Sequence, residues 1–259
     1  RWLVDYPRAV PLAIFLLVAT VTVLSVFAIE RGERVRENAD LSRQADAMVS
    51  GIERRAYSSS SFLRAGAALF GSQQSVSSDL FRQFVSELRL DADYRGAEGI
   101  GWAPAITDSQ LPAVEDQLSF GRVGPMSVRP SLEEDPRRQL VPVLFLQPDT
   151  LRNRKALGFD MYSEPTRKAA MDEATRTVRP TASGRVNLVQ DTGPDEYGFI
   201  IYMPVFDGRG AQRSLKGFVY SPFNAAQFLT SASELITSPD AGLRFFDVSG
   251  GKPLLLVES

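Results

Sequence analysis

The chain has 259 residues, 44% of them hydrophobic, which is enough apolar material for one large domain or two smaller ones with real cores. It contains no histidine and no cysteine, which excludes histidine-based catalytic triads, cysteine nucleophiles, disulfides and ordinary zinc sites. The formal net charge of -2 at pH 7 predicts no broad basic surface, so nucleic acid is not an expected partner.

The first predicted element is a transmembrane helix at residues 9–29, which follows a short N-terminal segment at residues 1–8. Residues 9–29 carry no charge, and at a rise of about 1.5 Å per residue they cover about 30 Å, the thickness of a bilayer core. A cleaved signal peptide and a buried core helix are the alternatives, but the apolar region of a signal peptide is normally only about 7 to 15 residues long. Arginines lie on both sides of the run, so charge leaves the orientation open.

Residues 30–74 contain no proline and are predicted to form a long stalk helix. One interpretation is a dimer seam that carries motion to the membrane, and the other is an amphipathic helix that packs on its own domain. We expect the first half to be seam and the second half to be domain core, where Arg55, Ser59 and Gly66 interrupt the apolar frame. The apolar residues of the frame are Leu41, Ala45, Met48, Ile52, Phe62 and Leu69.

The rest of the chain mixes helix and strand patterns. Predicted helices lie at 77–90, with Ser77 or Ser78 as N-cap, and at Ser109–Phe120, Glu164–Val178 and Ala225–Leu235. Short apolar runs bounded by turn residues predict strands at 97–106, 140–147, 184–190, 197–206 and 215–223. Two further apolar runs flank the turn SGGK and predict a terminal hairpin. This order predicts an α+β fold with one or two antiparallel sheets.

Asp160 lies in the connector before the helix at Glu164–Val178, for which Ser163 is the expected N-cap. Three roles are open: a turn carboxylate bonded to backbone amides, a catalytic acid, or the polar anchor of a ligand pocket. A catalytic acid normally works with a second titratable group, and no histidine is present. Nothing in the pattern selects a carboxylate partner from Asp191, Asp195 and Glu196.

Five segments in a fixed order resemble the CHASE domain, the extracytoplasmic sensor shared by bacterial membrane receptors and the plant cytokinin-receptor histidine kinases. The resemblance covers roughly residues 75–223, and the predicted transmembrane and stalk helices precede it as in that family. The segments are AEGIGWAPAI, VPVLFLQP, LGFDMYSEPTRKAAMDEATRTV, GRVNLVQD and YGFIIYMPVFD.

The resemblance implies a stalk followed by two PAS-like subdomains with antiparallel sheets, of which the membrane-distal one holds a ligand pocket. It also implies a homodimer through the stalk at the cell inner membrane, with a cytoplasmic N-terminus and with residues after about 30 in the periplasm or outside the cell. Residues 224–259 would then form a membrane-proximal part that leads to a second transmembrane helix beyond the end of this chain.

The resemblance also implies two ligand-binding residues. Asp160 in GFDM matches the aspartate that binds the adenine-like ring in the cytokinin-binding members, and Thr177 aligns with a threonine important to binding. The plant pattern continues with glycine where this chain has Val178, and residues 180–198 depart in length and content.

A ring-shaped ligand needs a mostly apolar slot with a few fixed polar groups. Since neighbouring strand residues point to opposite faces, Phe199 and Ile201 share one face of their strand, while Ile200 and Tyr202 share the other. We expect the Phe199 side to line the slot. The full predicted ligand-binding set is Asp160, Thr177, Phe145, Tyr162, Phe199 and Ile201.

The expected function is ligand sensing by a dimeric membrane receptor that signals to a cytoplasmic output domain. The parent protein is expected to be a sensor histidine kinase, with a diguanylate cyclase or phosphodiesterase as the alternative. A ligand-free structural dimerisation ectodomain is a second possibility. An anchored enzyme using Asp160 with Glu164 or Asp191 is a third, although the chain lacks a GxSxG motif and a phosphate loop. For this segment we predict no catalytic residue, no metal and no cofactor.

Overall fold

The structure is a computed structural model that describes residues 9–88, 97–120, 124–133, 139–190, 196–208, 213–233 and 242–258. The predictions for residues 1–8, 89–90 and 234–235 lie outside these ranges. The chain separates into two compact units, of which the first ends at Ser50 and the second begins at Gly51.

Helix α1 runs from Ala9 to Gly71. Among the described residues it is the helix that is long and apolar enough to cross a membrane. Its large apolar side chains between Leu12 and Ile29 are exposed, as on a segment that packs against lipid rather than against protein. The length and composition of this helix therefore agree with the transmembrane helix predicted at residues 9–29.

The last part of α1, residues 51–71, belongs to the second unit and contributes to its core. Leu63 and Phe70 are fully buried, and their seven-residue spacing places them on one face of the helix. The Lys216 ammonium donates to the carbonyl oxygen of Phe70 at 3.0 Å, which satisfies one of the last carbonyls of the helix. The second half of the predicted stalk is thus domain core, as expected.

Two further helices follow in chain order. Helix α2 spans Ser78–Glu87, and the Ser77 hydroxyl accepts a hydrogen bond from the Leu80 N–H at 3.2 Å, so Ser77 is the N-cap. Helix α3 spans Leu111–Ser119 after one 3-10 turn at Asp108–Gln110. Both helices were predicted, with slightly longer bounds.

A five-stranded antiparallel sheet forms the centre of the second unit. Strands β4 and β5 are long and mostly buried, which explains why their sequences are mainly apolar rather than strictly alternating. They confirm the strands predicted at 197–206 and 215–223. In the order β2-β1-β5-β4-β3, the strands are β1 (Ile100–Pro104), β2 (Phe145–Gln147), β3 (Thr181–Ala182), β4 (Gly198–Asp207) and β5 (Ser214–Asn224).

Helices and loops cover both faces of this sheet. On one face, which we call the α1 face, the rings of Phe70 and Trp102 lie 5.6 Å apart. On the other face, the Tyr202 hydroxyl donates to the Met161 sulfur at 3.6 Å, and helix α5 (Pro165–Thr177) packs against β4. We call this the α5 face. Because side chains alternate along a strand, each sheet residue belongs to one face or the other.

Helix α5 begins differently from the prediction. The Glu164 carboxylate, rather than Ser163, caps the helix and accepts hydrogen bonds from the N–H groups of Thr166 at 2.9 Å and Arg167 at 2.8 Å. Pro165 follows at the first helical position, where its missing N–H costs nothing. The Ser163 hydroxyl instead donates to the carbonyl oxygen of Asp160 at 2.6 Å.

Three strand predictions were wrong, two in their extent and one altogether. The strand predicted at 97–106 shortens to β1, and the one at 140–147 shortens to β2 because only isolated bridges form at Leu140 and Pro142. The segment 184–190 is not a strand, and Val186 makes a single bridge to Gly198. Val186 and Leu188 are nevertheless buried, so they are apolar because they pack in the core and not because they belong to a β-strand.

The described chain ends with α6 (Ala225–Ser233) and a hairpin of β6 (Arg244–Asp247) and β7 (Leu254–Glu258). This confirms the predicted terminal hairpin, which forms a separate two-stranded sheet. The predicted α+β class with antiparallel sheets is confirmed as well. The division into two PAS-like subdomains stays a prediction.

Candidate ligand-binding site

The Asp160 backbone is held in the interior by neighbours on both sides. Its N–H donates to the Arg129 carbonyl oxygen at 2.7 Å, and the next residue, Met161, donates to the Val141 carbonyl oxygen at 3.0 Å. Gly158 precedes them with φ +78°, and a Cβ there would lie 2.7 Å from the Ser127 carbonyl oxygen. The glycine in the GFDM segment is therefore required by the backbone itself.

The Asp160 side chain is fully buried and bonds to the backbone. Its Oδ1 atom accepts hydrogen bonds from the N–H groups of Val141 at 2.7 Å and Tyr162 at 3.0 Å, and so caps the 3-10 turn at Met161–Ser163. This is the turn-carboxylate role, one of the three that the sequence left open. Contact of Asp160 with a ligand stays a prediction.

Tyr162, beside Asp160, is also buried. Its hydroxyl donates to the Asp172 carboxylate at 3.0 Å, and the Lys168 ammonium lies 5.0 Å from the centre of its ring. Burial, together with the negative charge of Asp172, raises the pKa of the Tyr162 hydroxyl. Tyr162 is therefore a neutral hydrogen-bond donor at physiological pH.

Arg167 is a buried cation on the α5 face, with 4% of its surface exposed. Its guanidinium donates to the Asn187 carbonyl oxygen at 2.7 Å and lies 4.8 Å from the centre of the Phe159 ring. The Nε atom is 3.8 Å from the Glu164 carboxylate and has no hydrogen-bond acceptor among the described residues. A buried cation with an unused donor is costly, which makes this residue a candidate for ligand contact.

Two tyrosines face Arg167 from the sheet. Tyr202 and Tyr220 pair directly across β4 and β5, and their ring centres are 6.2 Å apart. Burial raises the pKa of both hydroxyls, while the positive charge of Arg167 acts in the opposite direction. The Tyr220 hydroxyl has no hydrogen-bond partner among the described residues. We call Arg167, Tyr202 and Tyr220 the polar cluster.

A glycine makes room for the polar cluster. Gly101 pairs with Tyr220 across β1 and β5, and a Cβ at Gly101 would lie 2.2 Å from the Tyr220 ring. The sequence prediction did not include Arg167 and Tyr220. A signal for Arg167 exists, since it falls on the same helical stripe as the buried residues Ala170, Met171 and Ala174.

The predicted apolar lining lies on the other side of the sheet. Phe145 stacks on Phe81 of α2 with ring centres 5.5 Å apart, which places it on the α1 face. Phe199 and Ile201 alternate with Tyr202 and so point away from the α5 face. The Phe199 ring stacks on Phe223 at 5.0 Å in an aromatic cluster with Phe228 and Phe245. The structure thus brings Asp160 and Tyr162 together but does not join them to these three residues.

Thr177 lies at the far end of α5. It is 12 residues after Pro165, so about 18 Å of helix separates it from the end of α5 near Asp160. Its hydroxyl donates to the Glu173 carbonyl oxygen at 2.8 Å. Val178 follows with φ 55° and ψ 39°, the left-handed conformation that glycine adopts more easily. The roles of Thr177, Phe145, Phe199 and Ile201 in binding stay predictions.

Comparison with known proteins identifies the family. A sequence model described as the CHASE domain matches residues 74–256, and thus extends past residue 223, where the resemblance seen in the sequence ends. The α+β fold with antiparallel sheets and this match together define an extracytoplasmic sensor domain, which is not a catalytic one. The chain belongs to the CHASE domain family.

Among the solved structures similar to the chain is an extracellular ligand binding receptor from Desulfohalobium retbaense DSM5692, with a TM-score of 0.47 and 10% sequence identity. The similarity covers 79% of this chain and 31% of that receptor chain, so this chain spans less than a third of its length. The search of curated proteins finds no match.

Proposed function

We propose that this chain is the ligand-sensing part of a dimeric membrane receptor. Its membership of the CHASE family supports a sensor function, and the apolar helix near its N-terminus supports a membrane anchor. In this proposal residues 1–8 are cytoplasmic, residues 9–29 cross the inner membrane, and the rest of the chain is extracytoplasmic. Ligand binding changes the activity of a cytoplasmic output domain. The preferred candidate for this domain is a histidine kinase, and the alternative is a diguanylate cyclase or phosphodiesterase.

The observation that carries the proposal is the pair of unused donors in the polar cluster. The Tyr220 hydroxyl and the Arg167 Nε atom are buried and have no hydrogen-bond acceptor among the described residues. Buried donors are normally satisfied, and a ligand with acceptor atoms would satisfy both. An adenine-like ring has suitable acceptors in its ring nitrogens. We therefore place the ligand on the α5 face rather than beside Phe199.

A ligand screen tests this site. The full chain in detergent is heated with a library of adenine derivatives and other small metabolites, and the melting temperature is recorded. At a free concentration of 100 times its Kd, a ligand is expected to stabilise the chain by about 2.7 kcal/mol. Tyr220→Phe removes only the unpartnered hydroxyl, so its stability without ligand should be equal or higher, while the ligand effect should fall by about 1 to 2 kcal/mol.

The matched control is Tyr57→Phe, because Tyr57 lies on α1 and is 75% exposed. This variant should keep the whole ligand effect. If Tyr220→Phe also keeps it, the ligand binds elsewhere and the proposed site is wrong. If no compound raises the melting temperature, the ligand-free structural dimerisation ectodomain becomes the better description.

The proposed homodimer can be tested separately, since the chain has no cysteine of its own. In the predicted seam, Ala45 lies between Leu41 and Met48 on one face of α1. Ala45→Cys in membranes should form a disulfide-linked dimer under mild oxidation, because the two copies would bring this position together. The yield of dimer is measured on a non-reducing gel.

Ser50→Cys is the control for the seam. Position 50 is five residues along the same helix, which places it at about 140° from position 45 and thus on the opposite side. It should give little dimer. Equal yields from the two variants would show random collision and would contradict a seam at Leu41, Ala45 and Met48.

A further inference from the structure

A second candidate site lies at the end of the central sheet, away from the polar cluster. It is an open cleft of about 560 Å³ where Gln190, Glu196, the end of β5 and the start of α6 meet a short helix, α4 (Leu151–Arg154). This volume is within the range of small-molecule sites. None of the predicted ligand-binding residues lines it.

Gln190 is the most informative residue of this cleft. It lines the cleft with only 4% of its surface exposed, and its Nε2 atom has no hydrogen-bond acceptor among the described residues. A buried amide N–H is stable only when an acceptor is near. An acceptor atom of a ligand in the cleft would supply it.

Two cations lie in the same cleft as this donor. Arg152 and Lys155 both line the cleft. Arg152 is held in place by the Glu98 carboxylate at 2.9 Å, while Lys155 is exposed on the rim. Lys155, and to a lesser degree the ion-paired Arg152, favour a ligand that carries negative charge.

The N-terminus of α6 adds positive electrostatic potential to the cleft. Asn224 caps the helix by accepting a hydrogen bond from the Gln227 N–H at 3.1 Å, and both residues line the cleft. The first turn of a helix carries partial positive charge, which attracts anions. Glu196 also lines the cleft, and its negative charge repels a ligand that carries several negative charges. A single carboxylate suits this balance better than several.

We propose that this cleft binds a small organic monocarboxylate. The carboxylate oxygens accept a hydrogen bond from the Gln190 side-chain amide and lie beside Lys155 and the first turn of α6. The cleft lies outside the site proposed on the α5 face, so this proposal does not rest on a ligand bound there.

Isothermal titration of the full chain in detergent tests the cleft. The probes are acetate, butyrate and benzoate, and each is compared with its amide, namely acetamide, butyramide and benzamide. At least one carboxylate should bind, and its amide should bind about tenfold more weakly or not at all, because the amide lacks the charge that the cations recognise.

Two variants locate the bound carboxylate. Gln190→Leu removes the buried donor and should weaken binding about tenfold or more. Lys155→Met changes an exposed rim residue, so its folding is not at risk, and it should weaken binding about threefold. Lys252→Met removes an exposed lysine in the terminal hairpin turn and should leave the affinity unchanged.

Three results would overturn the proposal. One is the absence of binding by all three carboxylates, and another is equal affinity for a carboxylate and its amide. The third is wild-type affinity in both Gln190→Leu and Lys155→Met. If Gln190→Leu does not fold, wild-type affinity in Lys155→Met is enough to reject the site.

Discussion

Asp160→Ala is expected to lower the free energy of unfolding by about 3 kcal/mol in the absence of any ligand. The Asp160 carboxylate accepts hydrogen bonds from the buried N–H groups of Val141 and Tyr162, and alanine leaves both donors without this acceptor. Each buried donor that loses its partner costs about 1 to 3 kcal/mol. Urea unfolding of the full chain, followed by tryptophan fluorescence, measures the change.

Asp160→Asn is the matched control. Its side-chain oxygen can still accept from the same N–H groups, so most of the stability should remain. If Asp160→Ala were as stable as the wild type, the turn role would be contradicted, and a side chain that only binds a ligand would be favoured.

The expected destabilisation also means that loss of ligand binding in Asp160→Ala cannot by itself locate a ligand. Tyr220→Phe is the sharper test, since it removes no hydrogen bond of the described chain.

Phe70→Ala is expected to have the largest effect, a loss of about 4 kcal/mol of unfolding free energy. Phe70 is fully buried near the end of α1, and its ring contacts Phe81, Phe84 and Trp102. Alanine would leave a cavity between α1, α2 and the sheet, because the aromatic neighbours belong to two other elements, α2 and β1, and cannot all close on it. The same urea titration measures this loss.

Arg64→Ala serves as the control on the same helix. Arg64 is exposed, and alanine is the best helix former, so the stability should change by less than about 0.5 kcal/mol. A small effect of Phe70→Ala, similar to that of Arg64→Ala, would mean that the end of α1 is not core. The stalk would then have to be treated as separate from the domain along its whole length.

Local patterns were enough to predict several elements. The uncharged run at residues 9–29 predicts a membrane-length helix because hydrocarbon tolerates no unpaired charge. The long apolar runs of β4 and β5 and the turn SGGK predict the central strands and the terminal hairpin. The order of five segments was also sufficient to recognise the CHASE domain, which the family comparison confirms.

The sites depended on contacts between distant parts of the chain. Alternation shows that Phe199 and Ile201 share a face of β4, but it cannot tell which face meets Asp160. The tertiary structure decides this by placing Tyr202 against Met161, and so puts Phe199 on the opposite side.

The polar cluster likewise joins α5 to two strands far from it in the chain, and the cleft at Gln190 collects residues from four separate segments. A sequence by itself determines which of its residues lie on a common face, because that depends on the period of one helix or strand. What covers the face depends on packing between elements, and only the folded chain decides it.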